Sequence, residues 1–133
     1  MEANESSFDH RKRAIEQWAA AWSARDPERL LQLFTADLVY EDVPMGAICR
    51  GTTELRAFAE SVFARLSDVS FELQSIFADG SKGGAEWVMR VARAGRHAEV
   101  RGASLFDFDG DRIRRCSDYW DMATYVRQLD VVV

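Results

Sequence analysis

Between Asp68 and Asp121 the chain changes character. Helical spacing stops, and four segments at 69–78, 85–93, 97–108 and 112–120 read as strands, rich in Val, Phe, Trp, Ile and Tyr. The breaks are short: DGSKGG at 79–84, AGR at 94–96 and DGDR at 109–112. Gly-containing breaks of this length join antiparallel neighbours, because a parallel return needs a dozen residues or more. Four consecutive hairpin-linked strands near the C-terminal end make one antiparallel sheet, and what precedes them must cover it.

What precedes them is largely helical. From Phe8, the residues Ile15, Trp18, Ala19 and Trp22 recur every three or four positions and form one apolar stripe. Ala24-Arg25-Asp26-Pro27 ends that helix. Asp26 suits an N-cap and Pro27 the first helical position, so a short helix carrying Leu30, Leu31 and Phe34 follows. LVYEDVP at 38–44 reads as a strand closed by Pro44, and Gly46 and Gly51 flank a loop. Thr52 or Thr53 is placed to cap the next helix, with Glu54 in its first turn. Leu55, Phe58, Ala59, Val62, Phe63 and Leu66 form that helix's apolar face. A last helix covers 121–129. Helices first and strands afterwards define an α+β layout, a curved antiparallel sheet with helices on one face.

Length and charge narrow the function. A chain of 133 residues, 47% of them hydrophobic, suits one domain with a substantial core, spanning 1–133 with 1–7 as a mobile lead-in. A net charge of -5 argues against a nucleic-acid or anionic-membrane partner. The N-terminal residues lack the apolar stretch of a signal peptide, and no run approaches a membrane span. Cys49 and Cys116 form no CxxC pair and read as free buried thiols in a reducing cytoplasm. His10 and His97 lie far apart in sequence. No metal site and no cofactor are expected.

The stretch CSDYWDMATYVRQL, 116–129, points to chemistry. Asp121 suits the cap of the final helix, which leaves Asp118 without that task. By strand parity Cys116, Asp118 and Trp120 share one face. Asp118 could also cap the helix itself or pair with Arg115. Asp42 could close its strand with an Asx-turn before Pro44.

Several pieces together carry a family resemblance. They are W-x3-W-x3-D at 18–26, LFTADLVYEDVP at 33–44, Gly51 before the third helix, LFDFDGDRI at 105–113 and DYWD at 118–121. In this order the chain resembles the SnoaL-like polyketide cyclases of the nuclear transport factor two-like superfamily, which also holds ketosteroid isomerases and limonene-epoxide-hydrolase-like enzymes. The resemblance implies a cone in which helices close the sheet over a pocket. It implies that Asp118 is a catalytic acid/base group and that Asp42 stands where the isomerases keep their general base. Tyr40, two residues before Asp42, stands where the epoxide hydrolases keep a tyrosine that helps hold water.

Departures from those relatives shape the expectation. Where the isomerases use a tyrosine and a protonated aspartic acid as an oxyanion hole, this chain carries Trp18 and Ser104. Where the epoxide hydrolases need an arginine and an aspartate, it carries Ala85 and Trp87. Arg90 has the parity opposite to Trp87 and Met89 and faces away. The expected pocket lining is Trp18, Trp22, Phe63, Trp87, Met89, Ser104, Phe106 and Trp120. The resemblance implies a cofactor-free enzyme that cyclises, isomerises or dehydrates a small hydrophobic carbonyl compound, polycyclic or polyketide-like. A binding module of the same fold and an interaction domain are the alternatives. The opposite sheet face, with Glu86, Arg90, His97, Glu99, Arg101 and Tyr119, is expected to be solvated or to form a homodimer.

Overall fold

The structure is a computed structural model and describes residues 7–132. The expected lead-in at 1–7 lies, but for Ser7, outside the described residues. Helix α1, Ser7–Ser23, is followed by α2, Pro27–Leu31; strand β1, Phe34–Asp42; strand β2, Ala47–Arg50; and helix α3, Gly51–Arg65. Four long strands follow: β3, Asp68–Asp79; β4, Lys82–Arg93; β5, Arg96–Asp109; and β6, Arg112–Trp120. Helix α4, Met122–Leu129, comes last. No helix among the described residues is long and apolar enough to cross a membrane.

The six strands form one sheet in the order β2-β1-β6-β5-β4-β3. The three hairpin turns linking β3, β4, β5 and β6 are tighter than the sequence breaks implied, with only two residues between strands. Gly80, Gly95 and Gly110 supply left-handed backbone at φ 60°, 79° and 61°. Ala94 joins Gly95 at φ 51°, because a turn matching the strand twist needs positive φ at both central positions. The expected break at 82–84 is therefore strand, and Gly83 and Gly84 pair with Ala78 and Phe77.

Three further local expectations change. Phe34 opens β1 instead of ending α2, because it pairs with Ile113 of β6 and the Ile113 N–H donates to Leu33 O at 2.8 Å. Residues 47–50 are an edge strand pairing back onto β1, not a loop. Helix α3 begins at Gly51, before either threonine, and the Glu54 carboxylate accepts the Arg50 N–H at 2.9 Å. The sheet is antiparallel except between β1 and β6, which run parallel because β2, α3 and three strands intervene in sequence. Register irregularities in β1, β3 and β5 bend the sheet around the helices.

Helix α1 buries Ile15, Trp18, Ala19 and Trp22 against the concave face, as its stripe dictates. Three devices fix the helices around it. Asp26 caps α2 by accepting the Arg29 N–H at 3.2 Å. Arg25, itself at φ 56°, donates to Leu66 O at 2.8 Å and to Phe63 O at 2.5 Å. A cation on the last carbonyls of α3 satisfies groups the helix leaves open and suits its dipole. Asp121 caps α4 through the Thr124 N–H at 3.1 Å and the Thr124 hydroxyl at 2.6 Å. Asp118 is thus free of that duty. Cys49 and Cys116 are free and buried.

Candidate active site

The concave face is organised in cross-strand rows. Asp42, Asp118 and Ser104 stand opposite one another on β1, β6 and β5. The next row toward the cavity mouth is Trp120, Gly102 and Trp87. The row on the other side is Tyr40, Cys116 and Phe106. Paired residues share a face, and neighbouring strands lie about 4.8 Å apart. The two aspartates are therefore immediate neighbours.

Asp118 is 6% exposed and accepts three donors from within the wall. The Tyr40 hydroxyl donates to Oδ2. The Ser104 hydroxyl donates to Oδ1 at 2.6 Å, and Cys116 Sγ lies 3.4 Å from the same oxygen. Behind Ser104, the Trp87 indole Nε1–H donates to its Oγ at 3.0 Å. No cation takes part in this network. Burial therefore wins over the Ser104 and Tyr40 hydrogen bonds, with the Asp42 charge adding to it, and lifts the Asp118 carboxyl to about 7. Tyr40 is pushed well above its ordinary range by burial and by Asp118 beside it. Cys116 moves the same way for the same two reasons. Both therefore stay protonated, as donors, across the range where Asp118 titrates.

Asp42 is 9% exposed and is also raised by burial, against the lowering effect of its two donors. Those donors are the Met45 N–H at 3.2 Å and the Trp120 Nε1–H at 3.0 Å, both on Oδ1. The sequence offered an Asx-turn here, but its donor would be Pro44, which has no N–H, so the carboxylate caps the turn one residue later, at Met45. The turn and the buried, cavity-facing carboxylate coexist, since neither donor engages Oδ2.

These groups face a cavity with about 570 Å³ of empty space, its solvent mouth included. Of the expected residues, Trp22, Tyr40, Asp42, Trp87, Met89, Asp118 and Trp120 line it. Four do not. Trp18 is fully buried one turn deeper, edge-on to Phe71 and Phe106 at 5.3 Å each. Phe106 packs there with it, below the cavity floor. Phe63 sits beneath the Arg25 guanidinium and against Trp22. Ser104 lies in the wall behind Asp118, its hydroxyl already bonded to that carboxyl. The Trp18–Ser104 pair is therefore no oxyanion hole. Strand and helix parity identified the inward face but not the depth along it.

Other lining residues escaped the sequence: Met45, Phe58, Val62, Phe71, Arg65 and Tyr125. They come from the β1–β2 turn, α3, β3 and α4, so no local motif links them. Arg65 lowers the Asp42 carboxyl from the mouth. Arg90 faces outward as expected, paired with Glu72 at 2.9 Å and Glu99 at 3.3 Å. Among the described residues no three His, Cys, Asp or Glu side chains cluster as metal ligands.

A curved sheet wrapped on N-terminal helices around an aromatic, carboxylate-bearing cavity defines the cone fold of the nuclear transport factor two-like superfamily. The chain belongs to the SnoaL-like domain family, which matches residues 15–116 and stops two residues short of Asp118. No curated protein sequence matches it significantly. A protein from Catenulispora acidiphila with a ketosteroid-isomerase-like fold, solved with trimethylamine, superposes with a TM-score of 0.85 at 25% identity, covering 90% of this chain and 93% of that one. An epoxide hydrolase of M. tuberculosis gives 0.81 at 22% identity over 93% and 92%. IdmH, a candidate polyketide cyclase from Streptomyces antibioticus, gives 0.78 at 20% identity over 90% and 98%. The last two likenesses speak to the fold.

Proposed function

We propose that the protein is a general acid/base enzyme acting on a small hydrophobic carbonyl compound, of the aromatic or polyketide-like kind, and that Asp118 and Tyr40 move the proton. The observation that carries this is Asp118: a carboxyl walled by aromatic rings, held by three neutral donors and raised to about 7. A group with its midpoint near the working pH both takes and returns a proton, which cyclisation, isomerisation and dehydration next to a carbonyl each require. Tyr40 lines the cavity beside Asp118 and donates its hydroxyl to that carboxyl. Asp42, with Oδ2 outside its two hydrogen bonds, supplies a second carboxylate next to the first. Membership of the SnoaL-like family supports cyclase-type chemistry. Epoxide opening is disfavoured: Ala85 and Trp87 bear no charge, and Arg90 points outward.

Exchange at carbon is the test. A panel of aromatic and polycyclic ketones in D2O is followed by NMR for deuterium entering next to the carbonyl. The wild type accelerates exchange for at least one scaffold, and Asp118→Asn loses about 100- to 10,000-fold while remaining folded. Unchanged exchange in the variant contradicts the assignment.

A second reading is a binding module for a small organic cation. Aromatic faces and two carboxylates without a bonded cation complement such a ligand, and the Catenulispora neighbour was solved with trimethylamine. Saturable binding of trimethylammonium without turnover of any ketone favours it. We further propose a homodimer through the outer sheet face, where Phe77, Leu105 and Tyr119 are exposed and the Arg90 ion pairs lie toward the other end of the strands. Light scattering at the monomer mass contradicts that part.

A further inference from the structure

We propose that Trp87 and Ser104 form a donor chain that fixes which oxygen of Asp118 carries its proton, directing that proton to Tyr40 at the cavity wall. The inference rests on the reading that Asp118 exchanges protons, and it names Trp87 and Ser104 as positioning residues.

The chain follows from donor and acceptor counts. An indole N–H can only donate, and a serine hydroxyl has one proton and two acceptor sites. Trp87 Nε1 at 3.0 Å occupies one acceptor site of Ser104 Oγ. The serine proton is then directed to Asp118 Oδ1 at 2.6 Å. Trp87 is 2% exposed and Ser104 0%, so water does not compete for either bond. Oδ1 keeps its donor whether or not Asp118 is ionised. Cys116 Sγ also lies 3.4 Å from Oδ1 and the buried serine proton has Asp118 as its acceptor, so an added proton is assigned to Oδ2, the oxygen bonded to Tyr40.

Two states result. With Asp118 ionised, the Tyr40 hydroxyl donates to Oδ2. With Asp118 protonated, Oδ2–H donates to the phenol oxygen, and the phenol proton turns to an acceptor on a bound ligand. Proton donation to the ligand is then one concerted transfer. The Oδ2 proton moves to the Tyr40 oxygen, the Tyr40 proton moves to the ligand oxygen, and Asp118 is left ionised. Asp118 never leaves the wall.

The sheet builds this arrangement through Gly102. That residue stands opposite Trp87 in the β4–β5 register, and a Cβ there would lie 2.4 Å from the indole ring. The bare backbone is what lets the Trp87 ring lie flat beside Ser104 with its N–H in reach. Other titratable groups face the same carboxyl: Tyr40 and Asp42 from β1 and Cys116 from β6. Arg65 of α3 and Tyr125 of α4 line the same cavity.

The test is the Asp118 carboxyl titration by 13C NMR on the full unliganded chain, in a double-mutant cycle. Ser104→Ala raises the Asp118 midpoint by about one pH unit, since it removes a donor to the charged form. Trp87→Phe keeps the ring, weakens the serine donor and raises the midpoint by about half a unit. With Ser104→Ala already present, Trp87→Phe adds nothing. A Trp87→Phe shift of equal size with and without the Ser104 hydroxyl overturns the chain, because Trp87 would then act by packing alone. So does no shift at all. A second readout needs no variant: in the wild type, the Trp87 indole proton resonance moves with pH at the Asp118 midpoint. A flat indole resonance overturns the proposal. Neither readout depends on turnover, so the chain can stand where the enzymatic reading fails, and the reverse.

Discussion

Replacing Asp118 with asparagine is expected to stabilise the fold at neutral and alkaline pH while abolishing proton transfer. Asparagine matches the protonated acid in shape. Its oxygen accepts Ser104 as Oδ1 does, and its NH2 donates to the Tyr40 oxygen as Oδ2–H would. The carboxyl, by contrast, is raised from 3.8 to about 7 by burial. In this direction the native state binds the proton more tightly than the unfolded chain, so stability falls as pH rises from about 4 to about 7 and is flat beyond. A displacement of about three pH units, at ~1.4 kcal/mol each, makes the loss about 4 kcal/mol. Urea denaturation of both proteins from pH 4 to pH 8 measures it. The stability of Asp118→Asn relative to wild type is expected to rise by about 4 kcal/mol across that range, mostly between pH 4 and pH 7. Subtraction removes the contribution of Asp42 except where the two carboxylates couple. A flat difference would mean that Asp118 is no desolvated acid.

Other outcomes follow from the same geometry. Tyr40→Phe removes the donor on Oδ2, so the Asp118 midpoint rises above about 7, the pH–rate profile moves the same way, and turnover falls about 100-fold or more. Gly102→Ala forces a Cβ against the Trp87 ring and the Tyr119 carbonyl at 2.8 Å. Thermal melting should show a cost of about 1–3 kcal/mol, and tryptophan emission should change as the ring shifts. Arg90→Gln breaks two exposed ion pairs. It should leave stability within about 0.5 kcal/mol of wild type in urea melts and leave turnover unchanged.

The long strands, their hairpins and the amphipathic α1 and α3 were legible because each is a local pattern. The role left open for Asp118 was legible for a similar reason: Asp121 alone meets the helix. Phe34 was misplaced because its spacing from Leu30 and Leu31 continues a helical pattern, whereas its partner Ile113 is 79 positions away. The four-residue β2 carries too little pattern between two glycines to show itself. The site was half legible. Parity placed Asp118, Trp120, Trp87 and Met89 on the inner face, yet it could not show that Trp18 and Phe106 lie below the cavity floor. Nor could it show that Ser104 spends its proton on Asp118. Arg65, Met45 and Tyr125 reach the cavity only because α3, the β1–β2 turn and α4 close over one end of the sheet, which no short motif encodes.

The most direct test of the central claim is the Asp118 carboxyl titration in the wild-type protein, read by 13C NMR and assigned through the resonance missing from Asp118→Asn. A midpoint near 7 is the predicted result and marks a carboxyl poised to exchange protons in an aromatic cavity. A midpoint at or below the ordinary carboxylate range of about 4 would contradict it. The hydrogen bonds from Ser104, Tyr40 and Cys116 would then outweigh burial, and the cavity would be a binding site without acid/base chemistry.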